Sequence, residues 1–467
     1  MSPAVKEILT LQETVERSLA LSKADGCVVI AEESSNANLR WANNTLTTNG
    51  VSLSRKLTVI AVVNGQTGVS SGVVSRSSVD LDELESFVRA AEEIARNSDD
   101  APDARPLVEG PTSVDWSDPP VETSIRVFDS FAPALGETFG MARTEGTFLY
   151  GFVEHDVTTT YLGSSTGLRL RHVQPTGYVT WTGKSNDRAR SAWVGQATRN
   201  FTDVDVLGLN DELRKRLRWS ARRIDLEAGR YETIMPPAAV ADLLIYTYWR
   251  SSARDAQEGQ SVFSKPGGGT RVGERLSSTQ LSMRSDPRQP GLECAPFVVA
   301  HRSTSAQSTF DNGLPLGRVD WIRDGSLAAL ATTRHSADLT GLETTPFVDN
   351  LILEVPGATG TTAEQVARTE RGLLLTCLWY IREVDPQTLL MTGLTRDGIY
   401  LVERGEVVGE VNNFRFNESP VDLLSRFTEA GATVPAFSRE WGDYFPRVAA
   451  PTLRIPDFNM SSVSQAS

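Results

Sequence analysis

Cysteine, histidine and lysine are scarce in this sequence, and long apolar runs are missing from it. Its three cysteines, Cys27, Cys294 and Cys377, lie far apart in 467 residues, each in apolar surroundings. That odd number and spacing exclude a disulfide framework or a zinc ribbon and predict buried, reduced thiols. The four histidines, His155, His172, His301 and His335, have no H-x-x-H, H-x-x-x-H or C-x-x-C neighbour, so any zinc site would have to gather its ligands from distant strands. No G-x-S-x-G elbow marks a serine nucleophile. No stretch of about 18 apolar residues occurs, and the N-terminus shows no apolar signal region, which predicts a cytoplasmic protein without a membrane span.

Lysine numbers six against forty arginines, and the net charge is -13 with a pI near 5.0. A phosphate backbone is held chiefly by surplus positive charge, so nucleic acid is excluded as the expected partner. The stretch "NDELRKRLRWSARRID" is locally basic, but Trp219 is its only aromatic residue for base stacking. It reads as a solvated helix face with local ion pairs.

What the chain does contain is an ordinary globular balance, 40% apolar and 22% charged. At roughly 100–200 residues per domain, its length predicts two or three domains. Thr10 and Glu13 form a capping-box pattern that predicts a helix over 10–22, followed by the buried strand "CVVIAEES". Asn49-Gly50 and Asn64-Gly65 sit between strand-like runs and predict two tight hairpins. "DLDELESFVRAAEEIARNS" places Leu84, Phe87, Val88, Ala91 and Ala95 on one helical face, with Asp80 and Glu83 as a second capping box. Residues 99–120 read as an exposed connection, and a further helix is expected over 124–143.

Residues 1–225 thus predict an N-terminal domain of antiparallel sheet with helices. Residues 226–467 predict one helix, "PAAVADLLIYTYWRSSARD", and then a mainly antiparallel β domain, a barrel or sandwich, because turn signals recur throughout. The class is α+β. "KPGGGTRVGE" lacks P-loop spacing and reads as a turn, and the tail "MSSVSQAS" reads as frayed. In "GLTRDGIYLVERGEVVGEV", two turns at Asp397-Gly398 and Arg404-Gly405 bound the core strand "IYLVE", so the dense charges predict turn edges before they predict an active site.

The stretches "WYIREVDPQT", "TGLTRDGIYLVERGEV" and "NFRFNES" together resemble the C-terminal signature of the TldD/PmbA (TldE) family of metallopeptidase-related proteins. "NLRWANNTLTTNGVSLSR" and "PTLRIPDF" resemble it as well. The resemblance implies, for TldD-type members, a zinc-binding H-E-x-x-x-H helix and a late cysteine ligand. Laid on this chain, the motif puts Pro237 at the first His, Ala238 at the Glu and Asp242 at the second His, and no Cys follows Cys377. The resemblance therefore implies the TldE/PmbA type: no catalytic residue and no metal in this chain, a zinc-bearing TldD-like partner in a heterodimer, and small or unfolded peptides as substrate. Trp249, Arg250 and Arg254, on the helix that replaces the zinc helix, are the candidate substrate contacts. Two other readings stand beside it: a homodimeric peptide-binding scaffold, and a hydrolase built on His301, His335 or Cys377.

Overall fold

The structure is a computed structural model that describes residues 9–465. Thr10 closes the predicted capping box at the start of α1 (Leu11–Leu21): its Oγ1 accepts from the Glu13 amide at 3.1 Å, and its own amide donates to Glu13 Oε2 at 2.9 Å. The chain then enters an antiparallel sheet of six strands: β1 (Gly26–Ala42), β2 (Thr45–Asn64), β3 (Val69–Ser77), β4 (Phe148–Ser164), β5 (Arg169–Lys184) and β6 (Ser191–Thr198). Their spatial order is β3-β2-β1-β4-β5-β6.

One predicted turn lies elsewhere. Asn49-Gly50 is inside β2, paired with Leu39 and Asn38, and the chain reverses instead at Asn43-Asn44, where φ is +49° and +60°. Asparagine tolerates the left-handed region that a type I′ turn requires at both central positions. Asn44 is also locked from the side, accepting from the Leu149 amide at 2.7 Å and donating to the Thr147 carbonyl at 2.8 Å. The second pair does stand at a hairpin, but not as its central residues: Asn64 ends β2, the Gly65 amide bonds the Gly68 carbonyl at 2.8 Å around Gln66-Thr67, and neither Asn64 nor Gly65 takes the positive φ of a type I′ turn.

Alternation along β1 divides the sheet into faces. Cys27, Val29 and Ala31 join α1 and α2 (Leu84–Asn97) in one core, and Ala37, Leu39 and Trp41 join α3 (Phe131–Glu145) and α4 (Val206–Trp219) in another. α2 buries the face read from the sequence, but it starts behind a 3-10 turn at Leu81–Glu83 rather than at Asp80. The opposite face is polar in its middle, where Asn36 and Tyr178 both donate to Glu154, at 2.7 and 3.0 Å.

The remaining strands form two open mixed sheets, of six and ten strands, and neither closes into a barrel. Most pairings are antiparallel, as expected, but three are parallel: Leu351–Glu354 with Val448–Ala450, Arg371–Leu375 with Gly229–Met235, and Glu406–Val411 with Arg223–Ile224. Turn signals report where strands end, not which distant strand lies beside them. Ile399–Glu403 is the predicted buried strand, and Arg404 (φ +52°) with Gly405 (φ +80°) forms its hairpin turn. Four residues of the tail expected to fray, Met460–Val463, belong instead to the long strand Leu453–Val463; Ala466 and Ser467 lie outside the described residues.

At Gly72 in β3, the backbone of α2 packs directly on the sheet. A Cβ there would stand 2.2 Å from the Ala91 carbonyl oxygen and 2.3 Å from the Ala95 nitrogen, both helix backbone. Gly72→Ala should therefore lift α2 off the sheet and lower unfolding free energy by about 2–3 kcal/mol, read from the denaturation midpoint.

Candidate functional site

The strand Gly229–Met235 runs into Pro236 and then α5 (Pro237–Trp249). Proline at the first helical position suits the helix start, since it lacks only an amide that would be unpaired there. Residues 239–248 of α5 are all buried, Asp242 and Thr247 among them, so the helix sits in the core rather than on a surface. Its N-terminal end opens into a cleft of about 790 Å³ whose lining includes Pro236, Pro237 and Ala238. β6 supplies Trp193 and Gly195, and α4 supplies Glu212, Lys215, Arg216 and Trp219.

The cleft carries paired charge. Glu212 accepts from Arg216 Nε at 2.9 Å and from Lys215 Nζ at 3.4 Å. Burial alone would raise its carboxyl, but Arg216 and Lys215 outweigh that effect and hold it below the ordinary range. Arg216 also donates to the Trp193 carbonyl at 2.7 Å, which ties α4 to β6. The basic helix is the ion-paired face predicted, with Arg214 bridging Glu145 and Asp211.

Asp242 lies one turn below the cleft, fully buried. Its Oδ1 accepts from Ser438 Oγ at 2.6 Å and the Glu440 amide at 3.0 Å, and its Oδ2 accepts from the Leu378 amide at 2.9 Å. Burial pushes its carboxyl up to about 7, against the pull of these three donors and with a smaller push from nearby Glu440. Glu440 in turn accepts from the Tyr380 and Ile381 amides at 2.9 and 3.2 Å.

Beside this network, Arg439 donates to Asp397 at 2.9 Å and approaches Cys377 Sγ at 3.6 Å, with its guanidinium over Trp193 and Trp379. Burial raises the Cys377 thiol more than Arg439 lowers it, so it is a packed, neutral group. All three cysteines are free and buried, as predicted. Asp397, read from the sequence as a turn residue, does turn (φ +62°), but its carboxylate also receives Ser191 of β6.

A second cleft of about 430 Å³ shares Gly195, Leu209, Pro435, Ala436 and Phe437 with the first, so the two form one groove. β6 borders it on one side and the strand Val434–Ala436 on the other; each pairs with a single neighbour, β5 and Val448–Ala450 respectively. Phe437 stacks on Tyr178 and Trp193 at 5.7 and 6.2 Å and bridges the two walls.

Trp249, Arg250 and Arg254 are not in this groove. Trp249 is about 18 Å along α5 from Pro237 and lines a separate cleft with Tyr248, Phe347, Tyr444 and Phe445. Arg250 pairs with Glu383 at 2.6 Å and Arg254 with Glu258 at 2.9 Å. The histidines stay apart: His155 bonds Thr123 and the Arg199 carbonyl, His172 bonds Gln174, and His301 touches Thr58 and Glu32. Among the described residues, no three His, Cys, Asp or Glu gather as metal ligands, and no helix is long and apolar enough to cross a membrane. The glycine-rich "KPGGGTRVGE" is a turn closed by the Lys265 amide on the Gly269 carbonyl at 2.9 Å. Sequence reasoning missed Arg439, Phe437 and the donors to Asp242, which meet α5 only through tertiary contacts.

The fold is that of known structures. TldE from Thermococcus kodakarensis superposes with a TM-score of 0.73 at 14% identity, covering 95% of this chain and 98% of that one. Two proposed modulators of DNA gyrase, from Thermotoga maritima and Bacteroides thetaiotaomicron, give TM-scores of 0.74 and 0.71 at 17% and 15% identity. They cover 96% and 97% of this chain and 100% and 98% of their own. No curated protein matches by sequence. Residues 228–462 match the PmbA/TldA metallopeptidase C-terminal domain and residues 27–95 match PmbA/TldA metallopeptidase domain 1. The chain belongs to the TldD/PmbA/TldE family.

Asp242→Ala should leave the Leu378 and Glu440 amides unpaired in the interior and cost about 3 kcal/mol of unfolding free energy. Because the folded carboxyl titrates near 7 and the unfolded one near 4, the native state binds the proton more tightly between those values. Its stabilising contribution is complete below about pH 4 and is lost as pH rises through about 7. Measured against Asp242→Asn, wild-type stability should fall across that window and level off above it.

Proposed function

We propose that this chain is the non-catalytic, TldE/PmbA-like subunit of a zinc metallopeptidase complex, in which a TldD-like partner brings the zinc and the catalytic residues. The observation that carries the reading is the position of Pro237 and Ala238: they line the cleft at the head of α5, where the family's zinc motif would stand. Zinc takes three or four N, S or carboxylate ligands. Pro237 and Ala238 offer no donor atom, and both oxygens of Asp242 are engaged by Ser438, Glu440 and Leu378. These side chains do not fit the ion.

The role left to this subunit is to shape a chamber and hold an unfolded or small peptide. The groove between β6 and Val434–Ala436 supports that role, since both bordering strands pair on one side only. An extended peptide added to such an edge is held by main-chain hydrogen bonds that are indifferent to sequence, while Trp193, Trp219 and Phe437 offer apolar surface to its side chains. Trp249, Arg250 and Arg254, at and beyond the far end of the buried helix and outside the groove, are proposed as more distant contacts of the same substrate. Three free thiols suit the reducing cytoplasm, where we place the protein.

Elemental analysis of the purified chain should find no stoichiometric zinc, and the chain alone should cleave no peptide. Co-expression with a TldD-like subunit should give a stable complex that does cleave. Stoichiometric zinc with peptidase activity in the isolated chain would refute the reading; binding of peptide without cleavage in any combination would favour the homodimeric scaffold instead.

A further inference from the structure

The cleft at the far end of α5, about 610 Å³ in volume, is lined mostly by aromatic and aliphatic side chains. Its aromatic wall is preformed. Tyr248, buried at the end of the helix, accepts from the Val348 amide at 2.8 Å and donates to the Val348 carbonyl at 2.7 Å. Phe347 then stands edge-on to Tyr248 at 4.9 Å, and Phe445 meets both Tyr248 and Trp249, at 5.9 and 6.3 Å. Tyr444, 77% exposed, is the most open ring of the lining.

The charged residues of the lining are Arg302, Asp311 and Asp349. Both carboxylates are already neutralised from outside the cleft. Asp311, itself buried, accepts from Arg334 Nε at 2.7 Å and from the Arg334 amide at 3.1 Å, and Asp349 receives the guanidinium of Arg447. Arg302 is exposed, and its guanidinium has no ion pair or hydrogen bond among the described residues. The segment that carries it is nonetheless held: Ala300 exchanges hydrogen bonds with the Asn312 side chain at 2.6 and 2.9 Å, and His301 meets Thr58 and Glu32 of the first sheet. Although the whole chain carries a net charge of -13, this apolar cleft is left with an uncompensated cation.

We infer that this cleft takes the C-terminal end of a peptide, with the free carboxylate on Arg302 and the last side chain, an apolar one, among Trp249, Phe347 and Tyr444. A guanidinium fork matches the two oxygens of a carboxylate, and capture of a terminal carboxylate is a recurring mode of peptide recognition. Charge decides against the other ligand that aromatic rings attract. A cation stacked on them would be repelled by Arg302, and neither Asp311 nor Asp349 is free to pair with it. A free amino acid fails for the same reason, because its ammonium would lack a partner, whereas a peptide carries its ammonium at the other end. The volume lies within the ordinary range for a small-ligand pocket. The choice of a peptide rests on the peptide-holding role proposed above; the pairing of a carboxylate with an apolar group does not. The groove along β6 then reads main chain, and this cleft selects the last residue.

Titration calorimetry on the isolated chain tests the inference without zinc, partner or cleavage, so its failure is distinct from a failure of the metallopeptidase reading. An acetylated tripeptide ending in phenylalanine should bind about tenfold more tightly than the same peptide with an amidated C-terminus, the worth of one charge-assisted pair. Arg302→Ala should bring the acid down to the affinity of the amide and leave amide binding unchanged. Its melting temperature should match the wild type, since the position is exposed. A tripeptide ending in serine should bind more weakly than the phenylalanine peptide in both proteins. 3-Phenylpropionate, the same chemistry from a free acid, should bind more weakly than the phenylalanine peptide. Equal affinity for acid and amide, an acid preference that survives in R302A, indifference to the last side chain, tighter binding of 3-phenylpropionate, or no binding of any probe at millimolar concentration would each overturn the proposal.

Discussion

A carboxylate in the middle of a helix that is buried on every side must be given donors, and the structure around α5 follows from that requirement. Asp242 draws them from two segments remote in sequence, Leu378 and the turn at 438–440. Holding that turn fixes Phe437, one residue before it, against Tyr178 and Trp193 of the first sheet. Fixing Glu440 organises the amides of Tyr380 and Ile381. The cleft wall and the floor beneath it are therefore positioned by one buried polar group, whose loss leaves several unpaired partners at once.

A second tie runs parallel to the first. Arg439 lies between Trp193 and Trp379 and binds Asp397, which also receives Ser191. The guanidinium is nearly buried, so its stabilising value comes from hydrogen bonding and aromatic faces as much as from net charge. Together with Arg216 on the Trp193 carbonyl, it joins β6 to the C-terminal sheets and to α4. β6 is thereby tied to both neighbours of the groove.

Features set by neighbours in sequence were legible. The Thr10–Glu13 box, the apolar face of α2, the Arg404-Gly405 turn and the strand "IYLVE" all follow from local spacing. Asn49-Gly50 misled because a turn-favouring pair is only permissive: Asn43-Asn44 satisfies the same backbone and is anchored by Leu149 and Thr147, which lie about a hundred residues on. The groove was legible at one end only. Pro237 and Ala238 could be placed by resemblance, but Asp242 read as an empty ligand position and not as a structural anchor, since its donors lie 136 and 196 residues away. Trp249 drew attention as an aromatic on the right helix, and helical rise carries it to the other end.

The same reasoning explains how a cleft can keep its shape around a helix whose N-terminal side chains are Pro and Ala. Pro236 and Pro237 define the start of α5 through their own fixed torsions, and its cap uses no side-chain hydrogen bond. Asp242 fixes the next turn through hydrogen bonds supplied by the chain itself. Neither device calls on a group bound in the cleft, so the helix is held from behind and the cleft in front of it is left open. That division of labour separates the stability of the site from whatever occupies it, so the side chains at the helix head can vary without unseating the helix.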